Sequence, residues 1–569
     1  MAEAILSPGV YLSETDRSFI QPEPIATATA FVGPTVKGPV EVPTIITSFA
    51  QYQNEFGTLF TSGSEDLEYL TSMAVKYFFD QGGSTALITR VTSGSFTSAT
   101  STDIENIGST GTSPFVLETL GAGEIYNSTG SESPAGFLEN GAIDNVRWEI
   151  ANVNENRGTF TVLIRRGDDN AKNRVVLETF ADVSLDPKSD NYIKKVIGDR
   201  KVQRLGDPGD YYIGEVGEFR NRSRFVRVSE VNTPTINYLD NEGNVRDAAN
   251  TDLLPVAQSG SFGGAIGTLQ IGTNYYNGFT TSDTQGLSGS DYDIAFQLLQ
   301  NKDEYKFNVI IAPGLIGTQH PTQIESLISL VETRGDSITV VDLSDFGAKI
   351  DDAVEDALVV NSSYAATYWP YLQLRSGTGK NVYVPSSVVV PGIYAFTDNL
   401  EAPWFAPAGM LRGGLPGVIQ AERKLTKPNR DTLYEGNVNP IATFPGAGVT
   451  IFGQKTLQKR RSALDRINVR RLLIEIKDFF SEQARNLVFQ QNTIATRNNF
   501  LARVNPFMES VIQRQGLFSY RIVMDESNNT PDMIDRNMLV GQIFIQPSRT
   551  VEFVVFDFTI EPTGATVEG

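Results

Sequence analysis

The side chains that carry most enzyme chemistry are scarce in this sequence. Among 569 residues there is one histidine, His320, and no cysteine. A histidine-based triad or metal cluster therefore has a single candidate, and thiol nucleophiles, thiolate ligands and disulfides are excluded. His320 precedes Pro321 at an expected helix start, where a structural role suffices. The run Gly377-Thr378-Gly379-Lys380-Asn381 invites a phosphate-loop reading. Such a loop needs glycine five residues before Gly379 and a hydroxyl residue after the lysine; Leu374 and Asn381 stand there, so a plain turn is expected. Asp240-Asn241-Glu242-Gly243-Asn244 lacks the alternating acids and closing glutamate of a calcium loop and reads as a solvated turn. Pro407 to Gly417 is glycine-rich, but no strand, glycine turn and helix with a downstream acid accompanies it. Trp369 and Trp404 are expected to pack in a core instead of forming a ligand platform. Nothing assembles a nucleophile with a general acid and base. No catalytic residue, cofactor or metal is expected, and the chain reads as a non-enzyme.

The elements around these residues describe a large multidomain protein. Hydrophobic residues make up 40% and charged residues 20%, a globular balance at a length that calls for two to four domains. A formal charge of −20 argues against a general nucleic-acid binder, and no apolar run long enough for a membrane span occurs. No signal peptide is read at the N-terminus, and the lack of cysteine fits assembly in a reducing cytoplasm.

Pro8, Pro22 and Pro24 mark residues 1–24 as an extended arm. Residues 25–95 read as strand, helix, strand. A strand runs from Ile25 to Val32. A helix follows Ser64, with Glu65 and Asp66 in its first turn and Leu67, Leu70, Ala74, Tyr77 and Phe78 on one face. A second strand spans Thr85 to Val91. Residues 96–287, rich in Ser, Thr, Gly and Asn, read as an inserted, mostly β peripheral domain. Residues 288–420 return to α/β style. There Phe307–Ala312 and Ser337–Asp342 are buried strands flanking a helix striped by Ile324, Leu327, Ile328 and Val331, the arrangement of a parallel pair. Residues 421–548 hold two long helices, one with the stripe Val469, Leu472, Leu473, Ile476 and Phe480, followed by strands. Residues 549–569 form a C-terminal arm whose Thr550–Ile560 stretch is apolar on both faces and needs a partner. The fold class expected is α/β (α+β) and multidomain: an α/β core built from N- and C-terminal parts, an inserted β domain, a middle α/β domain and extended arms. Between Glu422 and Arg521 there are 17 Lys and Arg against 8 Asp and Glu, a concentration of positive charge in an acidic chain.

Several segments occur in an order that resembles the contractile phage tail sheath family, most closely that of T-even-like phages. They are Ser7-Pro8-Gly9-Val10-Tyr11, Ala30–Gly33 with Lys37–Pro39, Phe49–Gly57 and Tyr77–Val91 in the first part. Tyr364–Tyr371, Val384–Asn399 and Pro403–Gly414 follow, and Leu433–Pro440, Asp465–Leu472 and Asp525–Pro531 come last. Residues 96–287 carry no such pattern.

The resemblance implies a structural subunit of a contractile tail. Copies would form stacked six-fold rings around a tail tube, held extended in a metastable state, and contract to drive the tube through a host envelope. Partners implied are other copies of the chain, the tail tube protein, and baseplate and tail terminator proteins, with no nucleic acid and no membrane insertion. The expected location is the virion, after assembly in the host bacterial cytoplasm. Neighbours would be joined by strand addition through the arms, with Ser7, Pro8, Gly9, Val10 and Tyr11 at one end and Val551, Phe553, Val555, Phe556 and Phe558 at the other. Arg470, Arg471, Lys477, Arg497, Arg503 and Arg514 are the candidates for facing an acidic tube. Two other readings are a sheath subunit of a bacterial contractile injection system or tailocin, and a secreted adhesin or glycan-binding protein suggested by the polar middle.

Overall fold

The computed structural model describes residues 28–62, 65–109, 111–269 and 275–552. Its centre is a six-stranded sheet made of β1 (Ala28–Gly33), β2 (Thr44–Ile46), β3 (Ala86–Arg90), β4 (Phe307–Ile311), β5 (Ile338–Val340) and β6 (Ala365–Ala366), in the order β6-β5-β4-β1-β3-β2. All pairings are parallel except β2 with β3. The strands read as unbroken apolar runs because both faces are covered, as parallel sheets require. Phe31, Ile88, Val309 and Ile311 point to a core shared with helix α1 (Leu70–Asp80). Ala30, Val32, Leu87 and Ile310 point to a second core with α2 (Pro321–Arg334) and α3 (Ile350–Val359). α2 starts at Pro321, pre-set for a first turn, and stops at Gly335, whose φ of 70° is left-handed and favours glycine.

The mixed α/β multidomain class is as expected, with two differences in its layout. β1 pairs with β3 on one side and on the other with β4, from a segment nearly three hundred residues away, so residues 28–91 and 305–366 contribute to one sheet and the middle segment is not a body of its own. C-terminal residues also enter this unit, since Ile441, Ile451, Ile467 and Ile474 join the first core. The second difference is local. Glu65–Glu68 is a strand paired with Leu59–Ser62, and the helix begins at Leu70. Glu65 and Asp66 therefore do not cap a helix. Leu67 packs with Phe60, Tyr69 and Tyr275 in a small cluster, and hairpin pairing overrides the helical spacing.

Residues 98–263 form sheets of four, four and two strands around a separate core that includes Phe115, Trp148, Phe160 and Phe262. This region is fastened to the α/β unit. Arg90, fully buried, donates to the carbonyls of Gly38 and Ala122, Lys37 pairs with Asp144 at 2.8 Å, and Arg204 pairs with Glu41 at 2.5 Å. At the other end of the chain, α4 (Ile467–Arg485) and α5 (Ile494–Gln513) pack with the hairpin β7 (Leu517–Val523) and β8 (Gln542–Pro547) around Trp404, Leu472, Phe500 and Met508. The expected strand over Thr550–Ile560 is not seen in its described part, residues 550–552; the remainder lies outside the described residues.

Candidate assembly surfaces

The inter-subunit candidates Ser7, Pro8, Gly9, Val10, Tyr11, Phe553, Val555, Phe556 and Phe558 lie outside the described residues. Val551 is described and is 81% exposed. Beside it the chain end is clamped. Glu552 takes two charge-assisted hydrogen bonds from Arg466, at 2.7 and 2.9 Å, one from the Tyr434 hydroxyl at 2.8 Å and one from the Gln454 amide at 3.2 Å. Burial works to raise the Glu552 pKa, but these donors outweigh it and hold the carboxyl below its ordinary value. Arg466 precedes α4, so the helix start fixes where the C-terminal segment leaves the body.

The hairpin β7–β8 offers an edge. Its inner face meets α4 and α5 through Leu517, Tyr520, Ile522 and Ile545, while Phe518 and Phe544 are 75% and 56% exposed. Among the described residues neither strand has a second strand partner. An unpaired edge beside exposed aromatics can accept an added strand.

The basic candidates divide by burial. Arg470 is buried, donates to Ser363 and stacks over the Tyr364 ring, 3.9 Å from its centroid. Arg471 is buried against Asp398 and over Tyr394. Burial acts to lower its pKa, and the Asp398 carboxylate more than reverses that, so it stays charged. Arg497 is buried and hydrogen-bonds the Thr493 carbonyl in its own helix. A buried guanidinium engaged this way has no free charge for another molecule, which corrects the expectation for these three. The first turns of α4 are covered on all sides: Ile467 to Leu472 are all buried, so lying off the apolar stripe does not mean facing water. Lys477, Arg503 and Arg514 are exposed. Lys477 sits 3.2 Å from the Tyr364 hydroxyl, and Arg514 stacks over Trp404.

Exposed positive charge also lies elsewhere. Lys459, Arg460, Arg461 and Arg549 are exposed and make no ion pair among the described residues. Three of them, Lys459, Arg461 and Arg549, line a groove of about 1090 Å³ that Glu552 also lines. Its signal in the sequence is the run Lys459-Arg460-Arg461, which charge counting over a hundred residues averages away. Of the chemical motifs, Gly377–Lys380 turns a hairpin between Leu372–Arg375 and Asn381–Val384. Asp240 accepts from the backbone of Glu242 and Asn244. His320 is buried, with its Nδ1 accepting from the Ile316 amide. No group of three His, Cys, Asp or Glu suited to a metal ion occurs among the described residues, and no helix there is long and apolar enough to cross a membrane.

Residues 285–457, which contain β4, β5, β6, α2 and α3, match the phage tail sheath protein central domain. The tail sheath protein of Vibrio phage KVP40 is 33% identical over 242 residues, 42% of this chain and 36% of that protein. The tail sheath protein of Enterobacteria phage T4 is 33% identical over 207 residues, 36% of this chain and 31% of that protein. Over these stretches the chain is similar to phage tail sheath proteins. The matched sequence spans about a third of the length of these two sheath proteins. The sheath fold extends further than the sequence match. A sheath tail protein from Listeria innocua superposes with a TM-score of 0.54 at 9% identity, over 92% of this chain and 95% of that one. The anti-feeding prophage helical sheath in its contracted state gives 0.51 at 14% identity, over 97% and 98%. These likenesses speak to fold alone, and they cover both the α/β unit and the helical C-terminal region.

Proposed function

We propose that this chain is a structural subunit of a contractile tail sheath. Copies polymerise as stacked six-fold rings around a tail tube, remain in a metastable extended state, and contract to push the tube through a host envelope. The observation that carries the reading is the match of residues 285–457 to the sheath central domain. The partners are other copies of the chain, the tube, and the baseplate and terminator proteins at the two ends. The place is the virion, reached by assembly in the bacterial cytoplasm.

The chain has the features that such a lattice needs. Among the described residues the β7–β8 hairpin has no further strand partner, so its edges can take a strand added from a neighbouring copy. The Glu552 clamp fixes the point at which the chain leaves the body. Lys477, Arg503 and Arg514 are the remaining candidates for the tube contact, where many weak, screened contacts hold and can still release. Contraction is rigid-body motion of folded subunits, with free energy from new contacts and no nucleotide.

Negative-stain electron microscopy of the purified chain tests this. Striated rods or tubes are expected; particles that stay monomeric at every concentration and salt condition refute it.

A further inference from the structure

We propose that a second copy of the chain docks its helix α3 against the outer face of the Lys201–Leu205/Tyr212–Val216 hairpin and the arginine loop that follows it. This rests on the self-assembly reading above and names one contact within it.

The loop is Gly217–Phe225. Arg220, Arg222 and Arg224 alternate along it, all three are exposed, and none makes an ion pair among the described residues. The loop is held rigidly. The Asn221 amide bonds both the N–H and the carbonyl of Arg200, and Asp199 accepts from the backbone of Glu218 and Phe219. The backbone amides of Arg222 and Ser223 donate to the Ile197 carbonyl. Ser223 and the Arg224 amide are tied to Glu178. Gly198 allows the close approach, since a Cβ there would stand 2.3 Å from Asn221. The neighbouring acids are thereby engaged: Asp199 and Glu178 in these bonds, and Glu215 with Arg200 at 2.6 Å. Glu218 alone opposes the three arginines from within the loop. Just before it, Leu205 with Tyr212 and Val216 occupy one face of the hairpin, and Tyr212 and Val216 are exposed. On the opposite face Arg204 pairs with Glu41 and Ile213 packs on the second core, while Val202 and Glu215 at its other end are exposed.

The complement lies on the same chain. α3 buries Ala353 and Ala357 and presents Asp351, Asp352, Glu355, Leu358 and Val359 on the other side. At helical spacing these make one stripe, acidic in its first two turns and apolar in its last. Leu358 and Val359 are 51% and 83% exposed, and the three acids make no ion pair among the described residues. Asp356, pushed up first by burial and then by Asp345, Asp352 and Glu355, records how closely the negative charge is gathered. Each surface thus joins three like charges to an apolar patch, with opposite signs. Such pairing sets register and rejects the wrong neighbour, while the apolar part supplies contact area. Because the surfaces differ, the contact is head-to-tail and propagates into rings or helices instead of closing as a dimer.

The experiment reverses charge on each side and then on both. R220E/R222E/R224E and D351K/D352K/E355K should each raise the concentration needed for rods by roughly tenfold to a hundredfold, the sum of three rim charge pairs. The chain carrying all six substitutions should return toward the wild-type concentration. Melting of each variant as a monomer checks that it is folded. Unchanged assembly of either triple variant overturns the proposal, as does failure of the six-fold variant to recover. Wild-type chain that never assembles overturns the sheath reading and this contact together, and so is distinguishable from failure of the contact alone.

Discussion

Glu552→Gln should loosen the root of the C-terminal arm without unfolding the body. The carboxylate holds Arg466 through two bonds and takes further bonds from Tyr434 and Gln454. Its side chain and that of Arg466 are 18% and 24% exposed, so solvent screens the pair only in part. Bonds to a charged group contribute about 1.5–3 kcal/mol, and glutamine keeps some of them. Arg466 also retains Asp465, at 3.1 Å. A net loss of about 2 kcal/mol follows, roughly thirtyfold in the closed-to-open ratio of the clamp. Hydrogen exchange and limited proteolysis at residues 548–552 should report the opening, with the melting of α4 and α5 unchanged. The sign with pH is fixed by the depressed pKa. The clamp's contribution is present above the ordinary glutamate pKa of 4.5 and is lost as pH falls through the lower folded value, so acid should mimic the substitution in wild type and add little in the variant. Equal protection of residues 548–552 in wild type and variant at neutral pH would refute the clamp.

Asp342 is buried with its Oδ1 bonded by Ser386 and Ser387, and burial raises its pKa from 3.8 to about 6. The folded state then holds a proton that the unfolded chain releases, so stability falls as pH rises between those values; Asp342→Asn should remove the fall and gain up to about 3 kcal/mol at pH 7 in denaturant titrations. Arg471→Met should destabilise the monomer itself by about 3–5 kcal/mol, because Asp398 is left without its cation; a monomer that melts as wild type would reassign Arg471 to a surface role. Reversing charge at Lys477, Arg503 and Arg514 should abolish extended sheath on tubes while tube-free rods persist, scored by electron microscopy. Deleting residues 1–20 should leave a cooperatively melting monomer that forms no rods of normal length.

The sequence foretold best those elements whose burial is dictated locally. Phe307–Ile311 and Ile338–Val340 read as buried strands because a parallel strand covered on both faces has no polar side, and they pair in parallel. The stripe of α2 and its stop at Gly335 follow from helical spacing and a left-handed cap. The partner of β4 could not be read this way. β1 and β5 are equally apolar, and a strand pairing across hundreds of residues leaves no local mark. Glu65–Glu68 shows the converse failure: acids beside an apolar run suit a helix start, yet pairing with Leu59–Ser62 decides the matter.

Charge is where sequence patterns mislead most. Arg470 and Arg471 lie off an apolar stripe, and on a helix covered on one side they would face water. α4 is instead wedged against Ser363, Tyr364, Tyr394 and Asp398, and each arginine finds an aromatic face and an oxygen there. Arginine suits such places because its guanidinium is planar and weakly hydrated. These two residues therefore tie α4 to the α/β unit. Exposed positive charge that makes no ion pair among the described residues lies on loops and on exposed helix faces: Arg220, Arg222, Arg224, Lys459–Arg461, Lys477, Arg503 and Arg549. A lattice that must hold and later rearrange gains from this division. In the proposed sheath, buried pairs would keep each subunit rigid, while exposed pairs, each of about 0–1 kcal/mol, would join subunits by contacts weak enough to exchange.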